Sequence, residues 1–255
     1  MDSRRRLVGS STKMYLTTTE VAAWVMRLRQ LLDSVTGVEV FVLPPFVSLP
    51  MTAELLRGTR IAFGAQNMHW ADRGPHTGEV SPLMLAELGA TFVELGHAER
   101  RRDQAESDES VNLKVLASLR HGLRPIVCVG EDSVTSPPDD LLRRQVATAL
   151  TGVQKSELEK VVIAYEPVWA IGQAAAAPAS YVFERHRAIR RLLIERFGAE
   201  AGNRCTIIYG GSVMPRNAGP LLKDNDVQGL FVGRSALDPE SFAQIVAAAR
   251  PPEPG

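Results

Sequence analysis

The chain of 255 residues has only two cysteines, Cys128 and Cys205, too few for a disulfide framework or a cysteine metal cluster. It carries no excess charge of either sign, since 29 Lys+Arg balance 29 Asp+Glu. Proteins that dock on nucleic acid or on an anionic membrane surface usually show a basic excess, so neither partner is expected. No apolar run approaches the roughly 20 residues of a membrane span. The basic opening Met1-Asp2-Ser3-Arg4-Arg5-Arg6 is followed by no apolar stretch and no small-residue cleavage site. Low-complexity sequence is confined to an Ala-rich run at 173–179, and no linker or composition shift divides the chain. These absences leave a soluble cytoplasmic protein that handles a small molecule, with residues 1–255 read as one domain. The Pro-rich end, 251–255, cannot extend a helix and is expected to fray.

What is present is ordinary globular composition, 45% hydrophobic and 23% charged, arranged in a regular alternation. Strand-like apolar runs fall at 7–9, 38–43, 61–65, 92–95, 125–129, 161–165, 206–209 and 229–232. Their apolarity is continuous rather than alternating, which suits parallel strands buried on both faces. Between them lie helical patterns. Val21, Trp24, Val25, Leu28, Leu31 and Leu32 recur at helical spacing after the start signal Thr17-Thr18-Thr19, and similar patterns occupy 111–119, 141–150, 181–197 and 241–249. Eight strands alternating with helices over about 250 residues predict an α/β fold, a single (β/α)8 barrel.

In such a barrel, reacting groups sit where strands end, at the C-terminal face. The first strand runs into Ser11-Thr12-Lys13, the fourth into Gly96-His97-Ala98-Glu99, and the sixth into Glu166-Pro167. They supply a cation, an imidazole and a carboxylate. The seventh and eighth run into Gly210-Gly211-Ser212 and Gly233-Arg234-Ser235, where bare backbone N–H groups can approach an anion. Glu166 could remove a proton beside a carbonyl while His97 and Lys13 polarise it and hold the enediolate oxygens. No nucleophile-plus-base pair and no metal-ligand cluster competes, so neither cofactor nor metal is expected. The reaction read from these residues is proton transfer on a phosphorylated hydroxycarbonyl compound. His69, His76, His121 and His186 read as structural or surface residues, Arg190 with Asp226 as a structural ion pair, and both cysteines as small buried hydrophobes.

Several segments together resemble the triosephosphate isomerase family. They are 162–172 (Val-Ile-Ala-Tyr-Glu-Pro-Val-Trp-Ala-Ile-Gly), 94–101 (Glu-Leu-Gly-His-Ala-Glu-Arg-Arg), 208–213 (Ile-Tyr-Gly-Gly-Ser-Val), and 64–67 with 77–79. The resemblance runs from Leu7 to about Ala248. It implies Glu166 as general base, His97 as a neutral electrophile, Lys13 as the cation under the enediolate, and Glu99 as the partner that positions Lys13. It implies phosphate binding by Gly172, Ser212, Gly233 and the backbone at Arg234, with Pro167-Val168-Trp169 as the entering hinge of a lid. It also implies a homodimer through the loop 66–79, with Trp70 in that loop.

The sequence departs from the family pattern at four places. Ser11-Thr12-Lys13 replaces Asn-Trp-Lys, Gln173-Ala174-Ala175 replaces the leaving hinge, Arg234 replaces a second glycine, and Ala98 replaces a serine. With 67–72, 178–180 and 229–236, these departures resemble a paralogous branch, the L-erythrulose-1-phosphate isomerases. That likeness implies a substrate one carbon longer, with Ser11 making room for it and Arg234 at the substrate mouth. The alternatives are the dihydroxyacetone phosphate/glyceraldehyde 3-phosphate pair, or a phosphometabolite-binding barrel with little catalysis.

Overall fold

The computed structural model describes residues 5–134, 138–171 and 177–251. Within them eight strands close into one parallel barrel in chain order, as the alternation predicts. The strands are β1 (Arg6–Ser11), β2 (Val38–Leu43), β3 (Ile61–Ala65), β4 (Phe92–Leu95), β5 (Arg124–Val129), β6 (Val162–Tyr165), β7 (Thr206–Gly211) and β8 (Gly229–Val232).

Because successive strand residues point to opposite faces, each strand feeds two cores. Leu7, Phe41, Leu43, Phe92, Ile126, Cys128, Val162, Ala164, Ile208 and Phe231 fill the barrel interior. Their neighbours, such as Val8, Val40, Val127 and Ile163, face outward beneath the helices. The interior centres on Phe41, whose ring stacks on Phe92 at a centroid distance of 4.6 Å and lies 5.7 Å from Phe231. Gly9 makes this possible, because a Cβ there would sit about 2.0 Å from the Phe41 ring.

The helical patterns form α1 (Thr18–Leu32), α5 (Asp108–Arg120), α6 (Pro138–Ala149), α7 (Ala179–Phe197) and α10 (Pro239–Ala248). Thr17 caps α1 with Glu20 in a reciprocal capping box, and Trp24 anchors the helix by donating to the Ala236 carbonyl at 2.7 Å. Five further helices carry no readable amphipathic repeat: α2 (Leu49–Leu56), α3 (Pro82–Glu87), α4 (Ala98–Asp103), α8 (Ala199–Arg204) and α9 (Pro215–Leu221). Among the described residues no helix is long and apolar enough to cross a membrane.

Candidate active site

The ends of β1, β4, β6, β7 and β8 meet around a pocket lined by Ser11, Lys13, Glu94, His97, Glu166, Ile171, Gly210, Gly211 and Gly233. Parallel strands put all their C-terminal ends at one mouth, so residues far apart in sequence converge there. Lys13 reaches it from a left-handed backbone conformation, φ +49°, which costs a non-glycine residue on the order of 1 kcal/mol. Gln66 holds that conformation: its amide donates to the Lys13 carbonyl at 3.0 Å and to the Leu43 carbonyl at 2.9 Å. The Lys13 ammonium donates to Glu99 Oε1 at 2.5 Å.

His97 caps α4, and its Nδ1 accepts the Glu99 backbone N–H at 3.1 Å. A neutral ring that accepts at Nδ1 carries its proton on Nε2. That nitrogen faces Glu166 Oε2 at 3.6 Å. Burial, and then the Lys13 charge, push the His97 imidazole down to about 4, so it is neutral at pH 7. The turn that presents it is clamped on both sides. Glu106 accepts the Gly96 N–H at 3.1 Å, and Arg101 donates to the Gly96 carbonyl at 2.6 Å. Glu106 is itself held by the buried Lys114.

Glu166 is 5% exposed, and its Oε2 has no hydrogen-bond partner among the described residues. Burial, and then the nearby Glu94 carboxyl, raise its pKa to about 8. A carboxyl this basic, aimed into a pocket beside a neutral imidazole and a cation, can take a proton near neutral pH. For Glu99, burial works upward, but the hydrogen bond and charge of Lys13 outweigh it and hold the carboxyl below its ordinary value. Glu99 therefore stays ionised and keeps Lys13 in place.

The glycine-rich ends of β7 and β8 also line the pocket, with Gly210 against the Glu166 side chain. Gly233 lines the pocket and precedes a short 3₁₀ turn (Arg234–Leu237), and Ser212 ties this wall to the segment after β6 by donating to the Ala170 carbonyl at 3.0 Å. The expected Gly172 ligand, the hinge at 173–175 and residues 252–255 lie outside the described residues. The position after Gly233, expected at the substrate mouth, is Arg234. It is exposed, is absent from the pocket wall, and makes no ion pair among the described residues, leaving only its backbone near the site. Ser11 does line the pocket and is buried.

The other sequence readings fall away from the chemistry. Arg190 pairs with Asp226 at 3.1 Å, His121 bonds Asp72 at 2.9 Å, and His186 is buried behind β6 with its Nδ1 on the Asp226 carbonyl. Cys128 is buried as expected, but it lies against Glu166. Sequence reasoning missed three site residues: Gln66, Glu94 and Glu131. Glu131, fully buried, accepts from the Tyr165 hydroxyl at 2.7 Å and the Tyr181 hydroxyl at 2.5 Å, and its carbonyl takes the Val168 N–H, anchoring the segment that follows β6. The signal for Glu94 was available, since a charge at an inward position interrupts an otherwise apolar strand.

The sequence profile described as triosephosphate isomerase matches residues 6–249. A triosephosphate isomerase of Caldanaerobacter subterraneus is 43% identical over 95% of this chain and 99% of its own length. One from Solibacter usitatus is 42% identical over 95% and 99%. The crystal structure of triosephosphate isomerase from Bartonella henselae superposes with a TM-score of 0.87 at 34% identity, covering 96% of this chain and 99% of that one. These matches make the protein an enzyme that interconverts aldoses and ketoses on a barrel scaffold. The chain belongs to the triosephosphate isomerase family.

Proposed function

We propose that the enzyme isomerises a small sugar phosphate by proton transfer through a cis-enediolate. The observation that carries this reading is the convergence of Glu166, His97 Nε2 and the Glu99-held Lys13 on one buried pocket. In this reading Glu166 takes the carbon proton, His97 donates from Nε2 to the carbonyl oxygen, and Lys13 stabilises the developing charge. Glu99 positions Lys13, and Ser212 with the backbone at Gly233 and Arg234 receives the phosphate. Pro167, Val168 and Trp169 would carry a lid that keeps water from the enediolate. The site's own residues supply every role, so the reaction calls on no cofactor.

The names of the relatives favour dihydroxyacetone phosphate and glyceraldehyde 3-phosphate as the substrate pair, and none of them carries the four-carbon expectation. Measured side by side, kcat/KM should be higher on glyceraldehyde 3-phosphate than on L-erythrulose 1-phosphate. A preference of about tenfold or more for the longer substrate would reverse that assignment. Turnover of neither, with phosphate-ligand binding intact, would leave a binding barrel.

A homodimer in the cytoplasm completes the proposal. Met14 and Val47 are 94% and 79% exposed, and they join Tyr15 and Trp70 as exposed apolar residues on or beside the site loops. His69 stacks on Trp70 and His76, stiffening the loop 66–79 that would reach across an interface. Sedimentation should give a dimer, and a fully active monomer would contradict it.

A further inference from the structure

Glu94 has no part in the mechanism above, yet it is the most unusual residue of the pocket. It follows Phe92 by two positions on β4, so both point into the barrel, and its register partner Ile126 is an interior residue as well. The apolar interior therefore ends, directly under the pocket, in a carboxyl that is 3% exposed. One oxygen of Glu94, one of Glu166 and a ring nitrogen of His97 all lie within 4.8 Å of one another. An oxygen atom placed at the centre of such a triangle is about 2.8 Å or less from each corner, within hydrogen-bond distance of all three.

We propose that Glu94 is a substrate-contacting residue that shares one proton with Glu166 and donates it in a hydrogen bond to the reacting end of the substrate. Two carboxylates this close in a buried site repel, and the pair is relieved by keeping a single proton. When substrate binds, the proton sits on Glu94 and Glu166 is ionised. Glu166 then takes the carbon proton, its negative charge passes to the enediolate, and the net charge of the site is unchanged. An ionised Glu94 would instead set an anion against the enediolate. The charged and titratable groups facing the pair are Lys13 from the end of β1, Cys128 from β5, and His97, Glu99 and Glu106 from the segments after β4. Lys13 favours ionisation of both carboxyls, whereas burial opposes it, raising Glu94 to about 7 beside the hydrogen bond that Ser11 gives it.

This inference rests on the isomerase reading, and its test separates the two. Glu94→Gln keeps an N–H donor and removes the charge, whereas Glu94→Met keeps the length and removes both. In both variants the acid limb of kcat/KM should stay within about half a unit of wild type, because Glu94 is already neutral in the singly protonated pair, and the alkaline limb set by loss of the shared proton should move to higher pH by about one unit or more. The substrate's phosphate titrates identically for all three proteins and cancels in the comparison. Glu94→Gln should keep kcat within about threefold, and Glu94→Met should lose about ten- to a hundredfold in kcat/KM. An alkaline limb unmoved in both folded variants would overturn the proposal, as would unchanged kcat/KM in Glu94→Met. If no sugar phosphate is turned over, the isomerase reading fails. Proton sharing is then read in the free protein by carboxyl-carbon NMR of labelled glutamate, where Glu94→Gln should lower the midpoint of Glu166, and an unmoved midpoint refutes it.

Discussion

Replacing Gly210 by alanine should disable the base without disturbing the fold. Gly210 lies on β7 opposite Phe231, on the pocket wall behind Glu166. A Cβ there would stand 2.8 Å from both Glu166 Cγ and Glu166 Oε1, and 3.3 Å from Cδ. Ordinary contact requires about 3.5 Å or more, so the carboxyl must retreat by roughly 0.7 Å. A displacement of that order in a reacting group costs about a hundredfold, equivalent to about 3 kcal/mol of barrier. The loss should appear in kcat, since Ser212 and Gly233, the residues proposed to receive the phosphate, are unchanged, and binding of 2-phosphoglycolate measured by calorimetry should stay within about threefold. Thermal unfolding should move little, because the obstructing atoms belong to a side chain at the cavity edge. By contrast, a Cβ at Gly130 would meet the backbone carbonyl of Glu166 at 1.8 Å, so alanine there should damage folding as well. Wild-type kcat in a folded Gly210→Ala enzyme would refute the placement of Glu166 as a base held in one position.

Lys13→Met should lower kcat/KM by about a thousandfold, and Glu99→Gln by about tenfold, since the first removes the cation and the second only its orienting partner; steady-state kinetics on both variants check the order. Phe41→Ala should cost about 4 kcal/mol in denaturant unfolding, because Phe41 is fully buried and stacked on Phe92 at the centre of the barrel. Burial pushes His186 down to about 4, so the unfolded chain takes up its proton near pH 6.5 before the native state does. Stability from this histidine is therefore present above pH 6.5 and lost as pH falls through 4, by about 3 kcal/mol. The difference in stability between wild type and His186→Asn, followed from pH 7 to 4, should shrink accordingly.

The barrel was legible because buried parallel strands leave continuous apolar runs, and all eight fall where those runs are. The long helices announced themselves by amphipathic repeat. The short ones, such as α2 and α9, did not, since two turns beginning near a proline hold too few positions for a period to show. Lys13, His97 and Glu166 drew attention by their places at strand ends and Glu99 by the family resemblance, and the structure brings the four side chains together. Glu94 and Gln66 were not singled out, because their contribution depends on which face of a strand meets the pocket and on a contact 53 residues away in the chain. Arg234 sits at the expected place after β8 with an exposed side chain, a direction that sequence position alone does not fix.

Glu166→Gln tests the central claim most directly. The amide keeps the shape of the carboxyl and cannot accept a carbon proton. Assayed on glyceraldehyde 3-phosphate, kcat should fall by about a thousandfold or more while 2-phosphoglycolate still binds. Turnover within tenfold of wild type would contradict the account, because the proton would then be leaving by a route that does not pass through Glu166.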